Sequence, residues 1–289
     1  MKTIILDSTG SNLKIHDVTD STCHYYVYTP IPGIAEVPQR VTQFNRAGED
    51  GVFIANIFQG QRTIHLDGIV AATAGVDDYT TMRQNISSLQ QATRNNSGVL
   101  QQKTCLFTTD DGNTYAVTGQ ITNILLPDQF LTNAPFSLDI ICNDWFFDYN
   151  NQQSLTLQLA TGGGFILPVD VPIVFAAGTG NVGTANNAGN VTAYPIITIT
   201  GIATNPLIVN QTTSQYISFN LTMISTDTLV IDPQNKTVLL NGVSALLYVQ
   251  DGSSWWGIQP GNNTISYTSG GGGDDAKCVL TYYNTWAGI

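Results

Sequence analysis

The chain is predicted to be mainly β, in two domains, with a single amphipathic helix in the first. Three observations lead there. Charged residues make up only 11% of the 289, and Gly, Asn, Thr, Ser and Gln fill the difference, a composition that favours strands and turns. Apolar residues recur with period two in segment after segment. All five arginines lie at or before Arg94 and all three histidines at or before His65, while only Lys236 and Lys277 are basic beyond residue 150. This asymmetry, with a composition shift across "CNDWFFDYNNQQS" (142–154), places the boundary between domains 1–149 and 150–289. Each is long enough to bury its own core.

Strands come first. "RTIHLDGIV" (62–70) alternates Ile64 and Leu66 with His65 and Asp67. "TYAVTGQIT" (114–122) alternates Tyr115, Val117 and Ile121 with Ala116, Thr118 and Gln120. "PFSLDIIC" (135–142) turns Phe136, Leu138 and Ile140 to one face, and "YISFNLTM" (216–223) does so with Ile217, Phe219, Leu221 and Met223. Each has the signature of a strand with one buried face. "LVIDPQNKTVLL" (229–240) reads as a hairpin turning at "DPQNK".

One segment breaks the pattern. "DDYTTMRQNISSLQQATR" (77–94) puts Tyr79, Met82, Ile86 and Leu89 on one helical face, with Asp77 or Asp78 to cap the first turn and "NNSG" to end it. The helix is expected to pack across a sheet. Two stretches look irregular: 28–51, with Pro30, Pro32 and Pro38 and then Arg40, and the Gly/Asn-rich 176–195. Long irregular connections are commonly functional arms. Residues 28–51 are expected to reach across a neighbouring copy of the chain.

Chemistry is sparse. Cys23, Cys105, Cys142 and Cys278 are far apart, with no metal-ligand spacing, and are expected as buried thiols. The "DD" pairs at 77–78, 110–111 and 274–275 suit caps and turns. "ILDSTGS" has one residue too many between Asp7 and Gly10 for an aspartic-protease turn, and no second copy exists to share a proton. No G-x-S-x-G elbow accompanies His16, His24 or His65, and "TGGG" and "GGGG" lack the strand-to-helix setting of a phosphate loop. No enzyme, metal or cofactor is expected. A net charge of −11 disfavours a grip on nucleic acid but suits a wall past which DNA slides. The apolar run after Met1 ends at Asp7, so neither a signal peptide nor a transmembrane helix is expected.

The order of motifs is informative. "NNAGNVTAYPIITITG", "NPLIVNQTT", "TLVIDPQNKTVLLNG", "SSWWGIQPGNNTISY" and "TYYNTWAGI" follow "FQGQRTIHLDGIVAA", the "YTTMRQNISSLQ" helix, "YAVTGQITNILLP" and "APFSLDIICND". This succession resembles the siphovirus distal tail protein (Dit) family over nearly the whole chain. The resemblance implies a β-rich ring-forming domain with its helix, then a galectin-like β-sandwich. It implies a structural virion protein at the tail tip, forming a homohexameric ring that joins the tail tube protein to tail-tip hub, fibre and receptor-binding proteins. DNA passes through such a ring without specific binding, and no membrane insertion is implied.

Trp255 and Trp256 admit two readings. They can fill core and edge positions of the sandwich, or they can form a sugar-binding platform, which would make the chain a carbohydrate-binding β-sandwich protein. The first is favoured, because aromatics bury large areas and a galectin-like topology does not establish sugar binding. Neighbours on a strand face opposite sides, so one Trp is expected buried and the other more exposed.

Overall fold

The structure is a computed structural model that describes residues 1–7, 12–20, 22–35, 38–72, 79–94, 98–126, 133–159, 181–271 and 273–289. It divides into two compact units, Met1–Asn150 with Trp286–Ile289, and Asn151–Thr285.

Unit 1 runs β1 (Thr3–Asp7), β2 (Leu13–Asp17), β3 (Tyr25–Val27), β4 (Gln39–Asn45), β5 (Val52–Gln59), β6 (Arg62–Ala71), α1 (Tyr79–Thr93), β7 (Gln102–Thr108), β8 (Thr114–Leu125), β9 (Asn133–Cys142) and the start of β10 (Phe146–Gln158). Its main sheet is antiparallel in the order β2-β1-β7-β8-β9-β6-β3. The long β8 serves β7 with its first half and β9 with its second, and a bulge between Ile121 and Asn123 marks the change. A bulge adds local twist and bends the strand. Gly33 adopts φ +87 where any Cβ would collide with the Thr63 carbonyl, so only glycine lets the preceding segment lie on β6.

The alternation in β6 and β9 is realised as read: Ile64, Leu66, Phe136, Leu138 and Ile140 are buried. In β8 both Ala116 and Val117 are buried, so the expected outward face is also covered there. Phe107 and Phe146 meet edge to face, 5.8 Å between centroids. Helix α1 buries Met82 and Leu89 fully, and Ile86 packs half-buried against the same core. The Tyr25 hydroxyl donates to the Asn85 carbonyl at 2.7 Å, and Asn85 Nδ2 donates to the Ala71 carbonyl at 3.1 Å, tying the helix to β3 and β6. Tyr79, expected on the packed face, is 58% exposed. It stands in the helix's first turn with Arg83 over its ring, 5.8 Å from the centroid. The expected caps at Asp77 and Asp78 lie outside the described residues.

Unit 2 contains the rest of β10, then β11 (Val182–Asn187), β12 (Ile196–Thr200), β13 (Ala203–Thr204), β14 (Leu207–Asn210), β15 (Gln215–Ser218), β16 (Thr222–Met223), β17 (Thr228–Asp232), β18 (Thr237–Leu240), β19 (Val243–Ser244), a 3-10 turn Leu246–Tyr248, β20 (Gly261–Thr268) and β21 (Lys277–Trp286), whose last residue falls in unit 1. One antiparallel sheet runs β19-β18-β17-β12-β21 and another β11-β20-β14-β15, with β13–β16 a small third. Ile197, Ile199, Leu229 and Ile231 from the first meet Ile208, Ile217, Ile265 and Tyr267 from the second in one core. This is a β-sandwich.

Two expectations change here. "YISFNLTM" is not one strand: β15 ends at Ser218 and β16 begins at Thr222. The period still holds, because Ile217, Phe219, Leu221 and Met223 are all buried. The chain moves between sheets while keeping its apolar side inward, with Phe219 N–H donating to the Pro206 carbonyl at 3.1 Å. Residues 176–195 are also less irregular than expected, since β11 lies within them and pairs with β20.

Candidate assembly interface

The feature of unit 1 that no core explains is β4–β5. These strands pair only with each other among the described residues, and every residue of both is exposed. Phe44 is 61% exposed, Phe53 60%, Ile54 59%, Ile57 55% and Phe58 51%. An isolated two-stranded hairpin is marginally stable in water, and a contiguous apolar surface of this kind marks an interaction site. Arginines cover part of it: Arg40 lies 5.6 Å from the Phe58 ring centroid and Arg46 4.9 Å from that of Phe53.

The expected arm therefore needs new bounds. Pro30 and Pro32 belong to a segment laid on β6: His65 N–H donates to the Pro32 carbonyl at 3.2 Å, and Ile34 is buried. The projecting part begins at Pro38, whose carbonyl accepts from Gly60 N–H at 2.6 Å, and includes Arg40. It runs through residues 39–59. The sequence reading stopped at residue 51 and missed β5, because apolar residues on both faces of "VFIANIFQ" hide the period. A bulge between Thr42 and Gln43 breaks it in β4.

His65 lies on the outer face of β6, 39% exposed. Its Nδ1 pairs with Asp139 of β9, and its Nε2 lies 3.0 Å from Asp67. The hydrogen bond to Asp139 raises its pKa, and the charge of Asp67 adds to this. Ser137 Oγ stands 3.5 Å from Nε2. Carboxylates engage both ring nitrogens, and Ser137 stands at the limit of hydrogen-bond distance, so the geometry does not set that hydroxyl up for activation. The group ties β6 to β9 across the outer face. Elsewhere, Asp111 accepts from Thr109 and Asn113 in a turn, and Asp274 accepts from Thr204 and Gly271 N–H groups at 2.8 Å. Among the described residues no cluster of His, Cys, Asp or Glu could hold a metal ion. All four cysteines are buried.

In unit 2, Trp256 is 2% exposed inside the core, and Trp255 packs half-buried against it. Trp256 is thus no sugar platform. The loop carrying both is held by buried asparagines. Asn263 Nδ2 donates to the Gln259 carbonyl at 2.7 Å while its Oδ1 accepts from Gln259 N–H at 3.1 Å, and Asn187 Nδ2 donates to Val191 and Ile258 carbonyls at 2.7 and 3.1 Å. These asparagines serve buried backbone, a role that composition alone does not reveal. Exposed apolar side chains of this unit include Val243 (71%) on β19 and Leu247 (79%) in the turn beyond, with Ile224 (62%) and Val182 (48%) elsewhere.

The two units carry the fold of bacteriophage tail-hub proteins. The chain superposes on the crystal structure of the SPP1 Dit (gp 19.1) protein, described as a paradigm of the hub adsorption apparatus in phages infecting Gram-positive bacteria, with a TM-score of 0.64 and 17% identity over 96% of this chain and 97% of that one. It also matches chains of the phage P2 baseplate in its activated conformation, with Ca (TM-score 0.53, 9% identity, 100% of this chain and 99% of that one) and with Sr (0.50, 9%, 97% and 98%). Residues 188–286 match the family model of the siphovirus-type tail component, C-terminal domain, in line with the resemblance carried by motif order in that part of the chain, and the solved structures share the fold. Comparison with curated protein sequences gives no match.

Proposed function

We propose that the chain is a distal tail protein, a structural component of the phage virion that closes into a six-fold ring at the tail tip. Unit 1 builds the ring, and unit 2 faces outward as a mounting surface. The ring joins the tail tube protein to tail-tip hub, fibre and receptor-binding proteins, and DNA passes through it. The observation that carries this reading is the β4–β5 hairpin. Two exposed faces rich in Phe and Ile require a partner, and the fold is that of tail-hub proteins. A segment that leaves its own unit to pack on the next copy makes a head-to-tail contact, and such contacts generate rings when the rotation closes. The acidic balance suits a channel that must not hold DNA. Among the described residues no helix is long and apolar enough to cross a membrane.

The test is the mass of the purified protein in solution and its appearance in negative stain. A six-fold particle is expected. Replacing residues 40–58 by a short Gly-Ser link should leave monomers with an unchanged β-rich spectrum. A variant without the hairpin that still formed the same ring would refute the role given to it.

A further inference from the structure

Beside the root of the hairpin lies a cleft of about 200 Å³ lined by Gln59, Arg62, Asn143, Asp144 and Trp145. Arg62 is only 3% exposed. Its Nη1 donates to the Gly33 and Ile34 carbonyls at 3.2 and 2.9 Å, and its guanidinium lies 4.7 Å from the Phe146 ring centroid. Its Nη2 is buried with no hydrogen-bond partner. Burial pulls its pKa down, opposed only by the nearby Cys142 thiol. A buried guanidinium with an unused edge is costly, and a carboxylate is the acceptor that relieves it best. Asp144 is on the rim, but its Oδ1 accepts from Trp145 N–H at 3.0 Å at an exposed position.

The chain offers the matching group at the other end of the hairpin. Between Pro38 and Leu66 the only acidic residues are Glu49 and Asp50. Both are exposed, in the turn that joins β4 to β5. Strands advance ~3.4 Å per residue, so the turn stands on the order of 25 Å from the hairpin's root. It cannot reach its own cleft, yet it spans a distance of the order of one small-domain diameter.

We propose that the Arg62 cleft is a carboxylate-binding site that receives the Glu49–Asp50 turn of a second copy of the chain. This rests on the ring reading above and supplies its head-to-tail lock. The stem's apolar faces would supply contact area, and the Arg62–carboxylate pair would set the register.

Two experiments test this. Glu49→Gln with Asp50→Asn leaves the protomer core untouched, so its melting as a monomer should not change, while assembly should weaken by about tenfold or more. In the second, Cys142→Ser removes the native thiol, and Asp50→Cys with Asn143→Cys places one thiol on the turn and one on the cleft rim. Mild oxidation should then give a ladder of disulfide-linked copies, absent when either new cysteine is omitted. If the wild type assembles, loss of the hairpin disrupts it, and yet the double amide variant assembles normally with no ladder, the cleft assignment is wrong and the ring reading survives. A wild type that stays monomeric at all concentrations overturns both. Acetate and citrate serve as probes for a free ligand. Stabilisation by either that is lost in Arg62→Met, with normal assembly of the amide variant, assigns the cleft to a small carboxylate and overturns the second-copy occupant.

Discussion

Trp286 stands edge-on to Tyr115, ring centroids 6.3 Å apart and planes at 84°. The contact explains why Trp286–Ile289 group with unit 1 although β21 otherwise belongs to unit 2. Ile289 also packs on the unit 1 core, and Gly288 lies so close to the Ile34 and Ala35 carbonyls that a Cβ would meet them at 3.0 and 2.6 Å. A fragment 1–149 should therefore melt lower than the same unit in the whole protein. Trp286→Ala should cost roughly 1.5–3 kcal/mol, the value of burying one large side chain. Equal melting of unit 1 with and without these residues, read by denaturant titration, would contradict the packing.

The helix offers a second test. Leu89 is fully buried, and Leu89→Ala should cost roughly 2–5 kcal/mol. Tyr79→Ala should stay within about 0.5 kcal/mol, as at ordinary surface sites. Chemical denaturation of the two variants distinguishes a packed position from one that only shares its helical face.

Sugar binding is tested by the same logic. Trp256→Ala should destabilise unit 2 by roughly 3–5 kcal/mol as a core truncation. Any glycan signal should be unaffected by Trp255→Ala. A glycan-array signal lost on Trp255→Ala, with the fold intact by circular dichroism, would restore the platform reading.

Two histidines give opposite pH dependences. His16 is 7% exposed, and its Nδ1 accepts from Val27 N–H at 3.1 Å, so the fold holds the neutral ring. Burial lowers its pKa, helped by the N-terminal charge. Its contribution is present above its unfolded pKa and is lost as pH falls through that value toward the lowered folded one. His65, raised by Asp139, contributes below its unfolded pKa and loses that contribution as pH rises through the raised folded value. His16→Gln should flatten the loss of stability on mild acidification, and His65→Gln should remove the smaller opposing gain, screened because His65 is partly exposed. Melting curves across the histidine range check both signs.

The proposed mounting role of unit 2 can be tested at the exposed apolar side chains along β19 and the following turn. Leu247→Asp should leave ring size and melting unchanged and impair attachment of neighbouring tail proteins, read by co-purification from assembled tails. Normal attachment would move the mounting surface elsewhere.

Much of the architecture was legible in the residues. The period-2 patterns of β6, β9 and the β17–β18 hairpin, and the helix from Tyr79, follow from one-sided burial, which local spacing records directly. The charge distribution shifts near residue 150, and the order of motifs resembles that of one family of phage tail proteins. Local spacing did not show which apolar residues meet a core and which wait for another molecule. Phe53 and Phe58 are apolar yet exposed on a hairpin, whereas Trp256, one of two adjacent tryptophans of which one is expected buried, is core. Burial is a property of what the rest of the chain places nearby. For the same reason only the tertiary structure could leave Arg62 Nη2 without a partner, send "YISFNLTM" from one sheet to another, and bring Trp286 back to Tyr115. Hydrophobic periodicity is written locally and the sequence determined it. Contacts between residues far apart in the chain are set by the packing of whole sheets, and those only the fold decided.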